Sequence, residues 1–147
     1  MKTSVCGIKL IKRWEGCSLE AYVCPAGVLT IGYGHTGPDV TKGMKITEQE
    51  AEALLARDLE KFEKQLDSLG LTFKQYQYDA LVSFIYNVGF ANFLNSTMLK
   101  KIKANATTKD ISDEFHKWVY AGGKKLKGLV ERRKDEAAMW WGCWRCR

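Results

Sequence analysis

The stretch "WEGCSLEAYVCPAGVLTIGYGHTG", residues 14–37, holds a change of secondary structure, two thiols and several polar groups. Before it, Ser4 to Glu15 reads as an amphipathic helix. Ser4 is a capping residue, and Val5, Ile8, Ile11 and Trp14 recur at helical spacing. Gly16 is a natural stop. Beyond it, "LEAYV" and "VLTIGY" are short β-branched and aromatic runs split by "CPAG". Pro presets a turn and Gly relaxes its exit, so the two runs read as a β-hairpin. In the second strand Val28, Thr30 and Gly32 share one face, and Leu29, Ile31 and Tyr33 share the other.

Outward from the hairpin the pattern turns helical. Residues 36–44 read as loop or a further short strand. Thr47 and Glu50 form a capping box that opens a helix carrying Ala51, Leu54, Leu55, Leu59 (one step off), Phe62 and Leu66 along one side. About twenty residues at about 1.5 Å each make a rod of about 30 Å, long enough to join two lobes. Thr72 and Gln75 read as a second capping pair, before a periodic segment that runs to Val88 and stops at Gly89. Ser96 opens a short helix. Ile111 to Val119 marks another, stopped by Gly122-Gly123, and a last helix covers about Leu129 to Trp141. The predicted class is α+β: one helix, a small sheet, a long helix, then a helical bundle.

The 147 residues fit one compact domain, with the 46% hydrophobic and 27% charged content of an ordinary globular protein. No apolar run approaches the ~20 residues of a membrane span. The N-terminus lacks the apolar core and cleavage site of a signal peptide, so cytoplasmic synthesis is expected. The net charge of +6 suggests an anionic partner, such as nucleic acid, a membrane surface or an acidic wall polymer, or simply a solvated basic surface. Five cysteines in a chain without a signal argue against a disulfide framework. Cys143 and Cys146 read as a tail feature, able to close into a disulfide after export.

Four residues can carry chemistry. Glu15 ends an amphipathic helix beside Trp14, and a carboxyl against apolar surface tends to stay protonated, as a general acid must. Thr30, taken alone, is an ordinary β-branched strand residue. His35 can be a base, a metal ligand or a buried histidine tying the sheet to a helix. With His116 as the only other histidine, no metal site is indicated, and Gly32-Tyr33-Gly34 is no dinucleotide fingerprint. Cys24 is an incidental thiol, or the nucleophile of a Cys24/His35 hydrolase if the two approach within hydrogen-bond reach.

As a set, these residues resemble the N-terminal motif of phage-type lysozymes, glycoside hydrolase family 24. That motif is Glu-Gly, an acid nine residues after the Glu, then Thr-x-Gly-x-Gly-His. "QYDALVSFIYNVGFANFLNSTMLKKI" and "GLVERRKDEAAMWW" resemble the helical-lobe motifs of phage endolysins, so the likeness covers about residues 5 to 141. The resemblance implies a single lysozyme-like domain over residues 1–147. It would have an N-terminal helix plus β lobe (about 1–46), a connecting helix (47–67) and a helical lobe (70–147). It implies a muramidase cutting the β-1,4 bond between N-acetylmuramic acid and N-acetylglucosamine, with no metal or cofactor. By position it makes Glu15 the catalytic glutamate, Thr30 the catalytic threonine and His35 structural. Cys24 stands where most members have aspartate. Asn87 and Ser96 are expected to line the sugar cleft.

Glycoside cleavage needs an acid for the leaving oxygen and a second group for water or the sugar cation. Glu15 would supply the first, and Thr30 with Cys24 the second, whether the outcome is inverting or retaining. Cys17, seven residues before Cys24, raises a Cys17–Cys24 disulfide that would consume the site thiol under oxidising conditions. The implied partner is peptidoglycan rather than nucleic acid. A basic cluster of Lys100, Lys101, Lys103, Lys124, Lys125, Lys127, Arg132 and Arg133 would aid adsorption or simply solvate a helical face. The expected life history is a monomer held in the host cytoplasm until a holin-type lesion admits it to the wall. Rival readings are the Cys24/His35 hydrolase of wall peptides and a non-catalytic basic module for wall polymer or nucleic acid.

Overall fold

Helix α1 (Val5–Glu15) begins where Ser4 accepts a hydrogen bond from the Gly7 N–H, and it ends with the Gly16 N–H bonded back to the Lys12 carbonyl. This is the N-cap and C-terminal glycine arrangement that satisfies the free groups of helix ends. The computed structural model describes residues 1–146. After α1 come β1 (Ser18–Val23), β2 (Leu29–Gly32) and β3 (His35–Thr36), an antiparallel sheet in chain order. The "CPAG" turn closes through Cys24 N–H to the Val28 carbonyl at 3.0 Å and Gly27 N–H to the Cys24 carbonyl at 2.8 Å. Thr30 pairs with both Tyr22 and Thr36, so it sits in the central strand. The expected alternation of faces does not appear as alternating burial: Thr30, Ile31 and Gly32 are all buried. Ile31 packs with Val40, Ile46 and Ala51 in a small core, while Thr30 on the opposite face meets the helical half of the molecule.

Helix α2 (Glu48–Asp67) opens on the expected Thr47/Glu50 capping box. It belongs to both cores: Ala51 lies in the small one, and Leu55, Leu59 and Leu66 lie in the large one. The large core centres on α3 (Gln75–Val88), where Leu81, Phe84 and Ile85 are wholly buried. Phe84 meets Phe115 at 5.4 Å and Trp118 at 5.5 Å, both edge-on, the arrangement that aromatic quadrupoles favour. The two halves are stitched where the Tyr86 hydroxyl of α3 donates to the Tyr33 carbonyl beyond β2. The architecture is the expected α+β class, a small sheet lobe joined by a long helix to a helical lobe.

Several local expectations change. Thr72 does not cap α3; the helix starts at Gln75, and the Lys74 N–H donates to the Gln77 side chain at 3.0 Å. A short helix α4 (Phe90–Leu94) precedes α5 (Thr97–Lys103). Helix α6 (Thr108–Phe115) stops earlier than its apolar period suggested, and Trp118 lies past its end. Gly122-Gly123 is not merely a stop but the turn of a second hairpin, β4 (Tyr120–Ala121) with β5 (Lys124–Lys125). Helix α7 (Lys127–Trp140) closes the bundle against α3. Among the described residues no helix is long and apolar enough to cross a membrane.

The cysteines also differ from expectation. Cys143 does not pair with Cys146. Instead Cys6 and Cys146, 140 residues apart, form a disulfide that ties α1 to the tail, and Cys17, Cys24 and Cys143 are free. The sequence spacing favoured a local pair, but the fold brings both chain ends to one side.

Candidate active site

A cleft of about 620 Å³ opens between the sheet lobe and the helical lobe. Glu15 enters it from the end of α1, Cys24 from the hairpin turn, Thr30 from β2 and Asn87 from the last turn of α3. Trp118 and Tyr120 face it from the segment after α6. Four of the expected residues therefore share one cavity. Ser96 does not: it is buried at the start of α5, donating to the Phe93 carbonyl at 2.6 Å and accepting from the Leu99 N–H at 3.1 Å. It is a helix cap, and its hydroxyl is used up by the backbone.

The surroundings of Glu15 are more polar than its neighbours in sequence suggest. Arg132 Nη1 donates to Glu15 Oε2 at 2.6 Å. On its other side the backbone of Gly34 lies so close that a Cβ there would stand 2.8 Å from the Glu15 carboxyl carbon. Gly34 also has φ +75°, a conformation that L side chains rarely adopt. This gives a physical reason for a glycine directly before His35.

Arg132 and Arg133 correct an expectation. They are not part of a solvated basic face but are buried beneath the cleft. Both pair with Glu136, itself 0% exposed: Arg132 Nε to Oε2 at 3.2 Å and Arg133 Nε to Oε1 at 2.7 Å. Arg132 also donates to the Ser83 carbonyl at 3.1 Å, and Arg133 Nη2 to Asn87 Oδ1 at 2.8 Å. The Arg133 guanidinium lies 5.2 Å from the centre of the Phe84 ring. Burial works against the charge of Arg132, but Glu136 and Glu15 outweigh it and hold the group more firmly protonated. For Arg133 burial prevails, and its affinity for the proton falls. The signal in the sequence was two arginines three and four residues before a glutamate, a pattern that surface helices share.

Cys24 is partly buried. Burial alone would raise its thiol, but the backbone N–H groups of Val28 and Ala26 and the Thr30 hydroxyl stabilise the thiolate, and the net effect is a lowered thiol pKa. The Thr30 hydroxyl has one proton to give. In the structure it goes to the Val28 carbonyl at 2.9 Å, which leaves the oxygen lone pairs free; turned to sulfur, the same proton stabilises the thiolate. Cys17 faces a different group, the Tyr33 hydroxyl, which burial, Glu52 and Cys17 together push up to about 12.

His35 lies outside the cleft lining. Its Nδ1 meets Asp58 of α2 at 2.7 Å and its Nε2 meets Asp39 at 2.9 Å. Burial opposes its protonation, but the two carboxylates prevail and its pKa is raised. Both ring nitrogens are committed, and neither is free to serve Cys24 as a base. His35 joins the sheet to α2.

The long helix between a small sheet and a helical bundle, with its cleft at the junction, defines the lysozyme-like α+β class. The family model described as phage lysozyme matches residues 12–136, and the chain belongs to that family. It is 43% identical over 142 residues to an endolysin of Bacillus phage B103, covering 95% of this chain and 54% of the relative. It is 41% identical to an endolysin of Acyrthosiphon pisum secondary endosymbiont phage 1, covering 95% and 97%. The chain spans about half the length of the Bacillus phage relatives it matches. Among solved structures, an endolysin from Escherichia coli O157:H7 phage FAHEc1 superposes with TM-score 0.83 at 37% identity, covering 95% and 93%. The muramidase domain of SpmX from Asticaccaulis excentricus superposes with TM-score 0.84 at 32% identity, covering 95% and 97%.

Proposed function

We propose that this chain is an endolysin muramidase that hydrolyses the β-1,4 bond between N-acetylmuramic acid and N-acetylglucosamine in peptidoglycan, lysing the host cell. The observation that carries the reading is one cleft lined by a carboxyl on a helix end and, from the hairpin, by a thiol and a hydroxyl. Glu15, protonated, gives its proton to the glycosidic oxygen as the bond to the anomeric carbon breaks. Thr30 and Cys24 offer two acceptors, a hydroxyl oxygen whose proton is engaged by the Val28 carbonyl and a sulfur whose thiolate the backbone N–H groups of Val28 and Ala26 favour. Together they hold both hydrogens of a water and leave its oxygen lone pair to attack the anomeric carbon. The thiolate takes the proton that this water loses, and its charge favours the oxocarbenium-like transition state. Solvent then reprotonates Glu15 and deprotonates Cys24. Asn87, its carbonyl oxygen held by Arg133, presents its amide N–H groups to the sugar.

The net charge of +6 aids adsorption to the carboxylates of wall stem peptides. Action as a monomer, and passage from the host cytoplasm through a holin-type lesion, complete the reading. Sedimentation tests the first, and lysis with and without a co-expressed pore-former tests the second. The Cys24/His35 peptidase has no such support, because Asp39 and Asp58 occupy both nitrogens of His35. The test of function is product analysis of digested peptidoglycan. Wild type should release reducing sugar ends and no new amino groups. Glu15→Gln should release none, Cys24→Ala should be strongly impaired and Cys24→Asp should be active. New amino groups from the wild type, or full activity in Glu15→Gln, would end this reading.

A further inference from the structure

Glu136 touches nothing in the cleft, yet both residues it holds do. Its two carboxylate oxygens sit against Arg132 and Arg133, and these reach Glu15 and Asn87 respectively. The buried cluster thus contains two guanidiniums and two carboxylates and is neutral when both acids are ionised. We propose that Glu136 is a positioning residue for the reaction. By neutralising one guanidinium charge from below the cleft, it lets Glu15 accept the proton it must deliver, and by anchoring Arg133 it fixes the amide of Asn87. The proposal rests on the reading of Glu15 as the acid.

The physical reason is competition for Arg132. With Glu136 in place, Arg132 divides its hydrogen bonds between two carboxylates and Ser83. Without the Glu136 charge, Glu15 is the carboxylate left bonded to the buried cation pair, and protonating it leaves both guanidiniums without a carboxylate partner. The other titratable groups near Glu15 are the hydroxyls of Tyr22 on β1 and Tyr86 on α3, and the Cys24 thiol of the hairpin turn. Burial raises both tyrosines, so they stay neutral and cannot substitute for the missing charge, and Cys24 is the same in every variant compared below. A role in packing alone predicts lower stability; a role in charge balance predicts a change in pH dependence with a definite sign.

The experiment is the rate of peptidoglycan hydrolysis from pH ~4 to ~9 for full-length wild type, Glu136→Gln, Arg133→Gln and the double variant, each confirmed folded by circular dichroism. Glu136→Gln should move the high-pH limb of kcat down by about one unit or more, a loss of about tenfold on that limb. Arg133→Gln, which touches neither Glu15 nor Arg132's bond to it, should move the limb up. The double variant should return it close to wild type, with KM raised because Asn87 has lost its anchor. An unmoved limb in Glu136→Gln, or a double variant shifted as far as the single, overturns the proposal. If Glu136→Gln does not fold, the upward shift in Arg133→Gln decides, and its absence overturns the proposal equally. Glu15→Gln is run alongside. Activity in that variant ends the reading of Glu15 as the acid; its inactivity, with no shifts elsewhere, ends only the role of Glu136.

Discussion

Replacing Gly34 by alanine puts one methyl group against the carboxyl proposed as the acid. The new Cβ would stand 2.8 Å from the Glu15 carboxyl carbon and closer still to Oε1, whereas ordinary contact begins at 3.4 Å, so the carboxyl must retreat by about 1 Å. It cannot retreat freely, because Arg132 holds it at 2.6 Å. Gly34 also has φ +75°, where a residue with a Cβ costs about 1–2 kcal/mol. The stability loss alone lowers Tm by about 2–8 °C in a chain of this size. Catalysis should suffer more. A misplacement of about 1 Å can cost about a hundredfold, so this variant should lose about ten- to a hundredfold in kcat while remaining folded at 25 °C. Clearing of a wall suspension at saturating substrate, with thermal melting of the same sample, separates the two effects. A variant with lowered Tm but wild-type kcat would refute the claim that Gly34 positions Glu15 rather than merely allowing the turn.

Three further outcomes concern His35 and the cysteines. His35 has its pKa raised in the folded state by Asp58 and Asp39, so its contribution is complete below the unfolded value of about 6.5 and is lost as pH climbs through the folded one. Unfolding free energy should fall above pH ~6.5 by up to about 1.4 kcal/mol per unit, and His35→Asn should flatten that slope; an unchanged slope in denaturant titrations refutes the assignment. Cys6→Ser should lower stability by up to about 5 kcal/mol relative to the oxidised protein, since the disulfide closes a loop across nearly the whole chain. Equal melting curves with and without reductant would contradict it. The Cys17–Cys24 disulfide that the spacing raised cannot form in this fold, because the two residues flank the extended strand β1 and stand about 20 Å apart; oxidant should leave both thiols of the folded protein open to alkylation, and a bond between them would contradict the strand.

Much of the molecule was legible because its determinants are local. Ser4 and the Thr47/Glu50 pair announce helix starts through bonds spanning three residues, and "CPAG" announces a turn closed within four. Glu15, Cys24 and Thr30 lie within one helix-to-hairpin segment, so local structure alone carries them to one cleft. Local signals failed where two readings share one pattern. Thr72 is the better cap by residue type, but the helix starts at Gln75, where the Gln77 side chain accepts from the Lys74 N–H. Gly122-Gly123 ends a helix or turns a hairpin, and pairing of Tyr120 with Lys125 makes it the latter.

The sequence by itself determined the order of helix and strand, the two-lobed α+β class and the residues that meet from the first lobe. Tertiary structure alone decided what lies beneath them. Arg132 is 117 residues from the carboxyl it holds, and the Cys6–Cys146 bond spans 140. An arginine followed by a glutamate four residues later looks the same on a wet surface as in a core. Which face of α7 turns inward depends on how α3 packs against it, and only that packing makes Arg132, Arg133 and Glu136 a buried cluster rather than part of a basic coat.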